Sequence, residues 1–192
     1  ALAVHLRASG RLVASLALAV LAAATYGTGI MAWPALMVVG LVLRRPREWW
    51  KESFHLAAFI VTYAWYRTGV APLEAEGTAG ITDYLQQTAR IFRYPLDASG
   101  AFDLLGWLPT IGIPLLVLWA VLARKTPAVA AWCGVGAFGW FSIAQVSAGR
   151  GGSYLDIMGD QFRYTSLGAL GWVALAALSL IALGRAAENL RD

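Results

Sequence analysis

Charge is scarce in this sequence. Only 14% of its 192 residues are Asp, Glu, Lys or Arg, about half the quarter that a soluble domain carries. Cysteine is nearly absent. Cys133 stands alone, which excludes an internal disulfide and any cluster of thiolate metal ligands. The only histidines are His5 and His55, and with one cysteine they make no metal-ligand spacing. No metal centre is therefore expected. GxSxG, Walker A, HExxH and CxxC patterns are missing, so the sequence supports none of the chemistries that those motifs carry. No cofactor is required by anything in the chain.

What fills the space is apolar. Hydrophobic residues make up 59% of the chain, nine of them Trp, and the mean hydropathy is +0.61. They fall in long runs, not in the 3.6-residue stripes of soluble helices. Runs of about 18 or more apolar residues read as membrane spans. The net charge of +4 does not point to nucleic acid, because the basic residues sit in short clusters beside apolar runs. That placement is the orientation signal of a membrane protein. The expected fold is an all-α, polytopic transmembrane helix bundle of about six spans, forming one domain over residues 1–192.

In chain order, the opening ALAVHLRASG has no methionine and too little apolar length for a signal peptide. It follows a processing event or belongs to a longer protein. Leu12 to Leu43 would measure about 48 Å as one helix, against a bilayer core of about 30 Å. Gly27, Gly29 and Pro34 weaken its middle, and arginines flank both ends. Two short antiparallel spans, Leu12–Thr25 and Ala32–Leu43, with a tip at Tyr26–Gly29 satisfy both facts. A single kinked helix is the alternative. RRPREWWKES then reads as a linker with Trp49 and Trp50 as interfacial anchors, and Phe54 to Val70 as a span.

Residues 71–103 are polar, and within them ITDYLQQTARIFRY places Ile81, Leu85, Thr88 and Phe92 on one helical face. An amphipathic helix on the membrane surface follows. Leu104 to Ala123 is a span interrupted by Pro109 and Pro114. Val129 to Ala144 carries Gly134, Gly136 and Gly139, which suit close helix packing. A last span runs from about Thr165 to Leu183. Ten of the fifteen basic residues then fall on one side, in the short clusters. Both termini are expected in the cytoplasm.

The outer segments gather the polar chemistry. The loop QVSAGRGGSYLDIMGDQFRY contains Arg150, Arg163, Asp156 and Asp160, and the long loop contains Asp83, Asp97, Arg90 and Arg93. Carboxylates serve as general bases and arginine forks hold phosphate. A face of this kind suits a lipid-linked phosphate or sugar; a wet, charged loop is the plainer reading. Arg163 and Tyr164, where loop becomes span, and Arg67, at the end of its span, are candidates for a lipid phosphate or for snorkelling anchors. His55 is the one residue placed to ligate a haem or chlorin, although a lone histidine is more often interfacial.

Two stretches resemble bacterial membrane glycosyltransferases of the GT-C type. LALAVLAAATYGTGIMAWPALMVVGLVLRRPREWW is similar to a segment in which a span ends in a small-residue turn and an apolar run leads into a basic pair. QVSAGRGGSYLDIMGDQFRYTSLGALGW resembles their late loop and last helix. The resemblance implies sugar transfer from a polyprenyl-phosphate donor at the outer face of the bacterial inner membrane. Arg163 and Tyr164 would lie on the donor-phosphate side, with Gly149 and Arg150 in the preceding turn. The family's catalytic carboxylate belongs to an N-terminal half with no counterpart here, so neither Asp83 nor Asp97 inherits that role. The chain is then the C-terminal half of such a protein or a truncated relative. The other expectation is a non-catalytic accessory subunit of a respiratory or photosynthetic membrane complex. Nine Trp and glycine-bearing spans favour that kind of packing against partner subunits and membrane lipids.

Overall fold

A computed structural model describes residues 2–25, 27–43, 49–69, 80–96, 102, 104–123, 126–149 and 164–189. These residues form eight α-helices and one 3-10 helix, with no strand among them. α1 (Leu2–Ala8) turns at Gly10, whose φ of +85° lies in the left-handed region open to glycine, into α2 (Leu12–Thr25). The 3-10 helix (Gly27–Met31) leads into α3 (Ala32–Leu43). Gly29 abuts the Ala22 carbonyl, so the chain folds back on itself within a turn or two. The 12–43 block is thus two short helices, not one kinked one, because a residue with a Cβ at position 29 would collide with α2.

α4 (Trp49–Gly69) begins five residues earlier than the sequence suggests, with WWKES as its first turn and a half. It is followed by α5 (Ile81–Arg93), α6 (Leu104–Leu122), α7 (Pro127–Gly149) and α8 (Thr165–Asn189). Three of these, α6, α7 and α8, are long and apolar enough to cross a membrane. α2 and the Thr28–Leu43 stretch are apolar but shorter.

α6 turns its large apolar residues outward. Its large residues Leu104, Leu108, Ile111, Leu115, Leu118 and Leu122 are exposed and recur every three or four positions, which is one continuous helical stripe. Its buried positions are Gly106, Pro109, Thr110, Ile113 and Ala120. Mostly small residues face the bundle, where backbones must approach closely, and leucines face outward.

Neither proline interrupts α6. Pro114 has no N–H to donate to the Thr110 carbonyl four residues back, and Trp140 Nε1 of α7 donates to that oxygen at 2.9 Å instead. Thr110 Oγ1 in turn donates to the Gly106 carbonyl at 2.7 Å. Neighbouring side chains re-satisfy backbone groups freed inside a membrane helix.

α7 is the hub of the bundle, touching α1, α3, α5, α6 and α8. Its three glycines divide the work. A side chain at Gly134 would come within 2.5 Å of Val4 of α1 and 2.6 Å of Val39 of α3. At Gly136 it would meet Ile113 of α6 and Ala174 of α8, both at 3.2 Å, and at Gly139 the Leu167 carbonyl of α8 at 3.2 Å. The pairings Thr110–Trp140 with Ile113–Gly136, and Gly139–Leu167 with Gly136–Ala174, run in opposite senses along each pair. α6 and α8 are therefore both antiparallel to α7.

α5 closes one end of this three-helix unit. Ala89 lies on Gly106 near the start of α6, and Thr88 Oγ1 reaches Ser147 Oγ near the end of α7 at 3.2 Å. Phe92 sits on Gly171 of α8. The amphipathic helix is thus docked into the bundle by its C-terminal half, where Gln87, Thr88, Ala89, Ile91 and Phe92 are buried. Ile81 is 77% exposed and Leu85 is also exposed, so of the face that the sequence marks, Thr88 and Phe92 are buried and the first half is not. Glycines on α6 and α8 created the space, and Ser147 gave buried Thr88 a polar partner.

Candidate functional site

The clearest polar recess lies at the α5 end. It is a cleft of about 210 Å³ between α5 and α6, lined by Gln86, Ala89, Arg90, Arg93 and Trp107. Local structure sets it up. Asp83 Oδ2 accepts from the Gly80 N–H at 2.9 Å and so caps the start of α5. Helical spacing then puts Gln86, Arg90 and Arg93 on one flank. At the other end of α5 the Phe92 carbonyl is one of the orphans of a helix C-terminus, and Trp172 Nε1 of α8 donates to it at 2.7 Å. That bond pins the turn carrying Arg93. Two guanidinium groups beside an indole and a carboxamide can take an anion with planar oxygens, phosphate above all.

The sequence candidates separate when placed on this frame. Asp83 is spent on the cap, not on an acidic cluster. Tyr164 is buried with Ile91, Phe92, Ile113 and Ile143 in the core beneath α5. Arg67 is exposed near the end of α4. Arg150, Asp156, Asp160, Arg163 and Asp97 lie outside the described residues. Arg90 and Arg93 were visible in the sequence only as two of several outer cations; nothing there pairs them with Trp107.

A second polar group lies at the opposite end, where α1 meets α7 at Gly134. Arg7 is 2% exposed and its guanidinium donates to Glu52 Oε1 of α4. The Glu52 carboxylate packs on Gly40 of α3. Arg7 therefore differs from the solvated flanking cation that its place beside a span suggests, because Glu52 moved into α4 and can pair with it. Glu52 Oε2 faces His55 Nδ1 at 3.5 Å, too long for a good hydrogen bond. His55 is fully buried, with the Trp33 ring at 6.2 Å and the Phe54 ring at 6.4 Å. Neither of its ring nitrogens has a hydrogen-bond partner, an omission that costs about 1–3 kcal/mol for a buried polar atom. The adjoining cleft is about 140 Å³, below the roughly 300–1,000 Å³ of pockets that enclose drug-sized ligands or cofactors.

Among the described residues no three His, Cys, Asp or Glu side chains converge as metal ligands. Comparison of the chain with protein-family models, curated proteins and solved structures gives no match.

Proposed function

We propose that this is a multi-span membrane protein that holds the phosphate of a polyprenyl-phosphate lipid, with or without its sugar, at the outer face of a bacterial inner membrane. The observation that carries this reading is the Arg90–Arg93–Trp107–Gln86 cleft on a surface helix docked over the ends of three apolar helices. A headgroup phosphate lies at that depth, and an indole beside it suits the interface. The GT-C resemblance supports the same lipid class and adds Arg163 as a candidate phosphate ligand. Six crossings, with the 12–43 hairpin and α4 counted as spans, put the basic clusters and both termini in the cytoplasm and α5 outside.

A second reading, a non-catalytic accessory subunit, is favoured by one fact. Of the described carboxylates, Glu52 is tied to Arg7, Asp83 caps α5 and Glu188 is exposed in the last turn of α8. None of them lines the cleft. The two readings are compatible with one lipid site and differ in whether the chain works within a larger assembly.

The test is native mass spectrometry of the protein released from phosphatidylcholine nanodiscs. Undecaprenyl phosphate should be retained and undecaprenol not, and Arg90→Ala/Arg93→Ala should weaken retention about ten- to hundredfold, as expected for losing charge-assisted hydrogen bonds of about 1.5–3 kcal/mol. Phosphatidylglycerol competes if any headgroup phosphate suffices and fails to compete if the polyprenyl chain is also read. Equal retention of the alcohol, or an unaffected double variant, overturns the proposal. Co-purification with other subunits in fixed ratio would decide for the accessory role.

A further inference from the structure

The two sides of the bundle differ in apolar length. We infer that the side built by α2 and α4 faces a thinner bilayer than the side built by α6 and α8, and that it selects phospholipids with short acyl chains. In the six-crossing topology proposed above, on which this rests, both α2 and α4 lie in the membrane.

α6 sets the long side. Its exposed stripe from Leu104 to Leu122 is apolar throughout and about 27 Å long at the helical rise, close to the hydrocarbon core of about 30 Å. α8, with 25 residues, is longer still.

α4 carries interfacial residues at both ends of a shorter stretch. Trp50 is 64% exposed and the Lys51 ammonium lies 5.7 Å from its ring centroid. Trp65 is 65% exposed, with exposed Arg67 two residues on. Tryptophans and flanking cations settle at headgroup level. Trp50 and Trp65 are about 22 Å apart along the helix, and Phe54, Leu56, Ile60 and Val61 are exposed between them. α2 is just as short. Exposed Arg11 precedes it, and from Leu12 to Thr25 it measures about 21 Å. Val13, Val20 and Leu21 are exposed along it.

These two helices are neighbours, since Leu12 and Leu16 of α2 line one cleft with Trp50 and Phe54 of α4. Both pack on α3 and the 3-10 helix, which in turn pack on α7. The shortfall therefore belongs to a surface and not to one helix. Tilting would only reduce its reach along the membrane normal. A span shorter than the bilayer is met by thinning of the lipid around it, and lipids with shorter chains thin at less cost.

The experiment uses the full chain with Cys133→Ser in phosphatidylcholine vesicles, with bimane placed singly at Val20→Cys of α2, Ile60→Cys of α4 or Ala176→Cys of α8. All three positions are exposed. Brominated dioleoyl phosphatidylcholine quenches bimane, and competing lipids relieve that quenching according to their affinity for the surface. Dimyristoleoyl phosphatidylcholine should relieve it about threefold better than dierucoyl phosphatidylcholine at Val20 and Ile60. At Ala176 the two should be equal or reversed in order. The same chain-length preference at all three positions would sink the inference and leave the topology standing. Quenching at Ala176 with none at Val20 and Ile60 would show that lipid does not cover α2 and α4, and the inference would fall for a different reason. Cross-linking in the same vesicles then separates a second copy seated on that side from helices lying outside the bilayer, and only the latter removes the six-crossing reading.

Discussion

Pro114 and Trp140 form a unit although they are on different helices. The proline removes the donor for the Thr110 carbonyl, and the indole N–H replaces it. Trp140→Phe keeps the ring and deletes only the donor, so the carbonyl is orphaned inside the bundle. The expected loss is about 1–3 kcal/mol of stability. Pro114→Ala restores a backbone N–H at the same place, so Trp140→Phe made together with Pro114→Ala should cost much less than Trp140→Phe alone. A thermal-unfolding double-mutant cycle in detergent measures this, and additive effects would refute the pairing. The sequence shows that Pro114 lacks an N–H and so suggests a break in the span. It does not show that a tryptophan of the next helix supplies the bond, because side-chain reach across helices depends on register. For the same reason the Arg7–Glu52 pair was hidden, whereas the packing role of Gly134, Gly136 and Gly139 was open. Small residues in an apolar helix have few uses besides close approach.

At the scale of elements, α5 is the piece whose position decides whether the Arg90–Arg93–Trp107 cleft exists. The periodicity of ITDYLQQTARIFRY announces a helix with two unlike faces, and the helix runs Ile81–Arg93 as that pattern implies. The marked face is buried only in its second half: Thr88, Phe92 and the adjoining Ile91 are buried, while Ile81 and Leu85 are exposed. Which half would dock was not legible, because glycines and a serine on other helices set where α5 can approach. Gly171 is the critical receptor. A Cβ there would overlap the Phe92 ring, and overpacking of a close contact costs about 1–3 kcal/mol. Gly171→Leu should therefore lift α5 from the bundle. Hydrogen exchange should rise about ten- to hundredfold over the second half of α5 while α7 stays protected. Ile81→Ser, on the exposed flank, should leave exchange unchanged. Uniform loss of protection across all helices would show that α5 is not a separable lid on the bundle.

For the molecule as a whole, the antiparallel run of α6, α7 and α8 fixes which ends share a side. α5 covers the start of α8, so Gln86 on α5 and Ala186 in the last turns of α8 lie at opposite ends of one helix long and apolar enough to cross a membrane. α1 meets α7 at Gly134, the end of α7 away from Ser147, so Ser9 belongs with Ala186. The proposed topology adds the direction, with the clustered Arg and Lys in the cytoplasm. Cys133 is the one cysteine and is buried, and Cys133→Ser removes it as a competing thiol. On it, Gln86→Cys should react with a membrane-impermeant maleimide from outside the cell. Ser9→Cys and Ala186→Cys should react only after the membrane is opened. All three positions are exposed, so silence cannot be blamed on burial. If Gln86 and Ala186 label from the same side, α8 does not cross the bilayer, and the lipid-phosphate reading loses its geometry. If Ser9 labels with Gln86, α1 does not share a side with the end of α8, and the six-crossing topology falls.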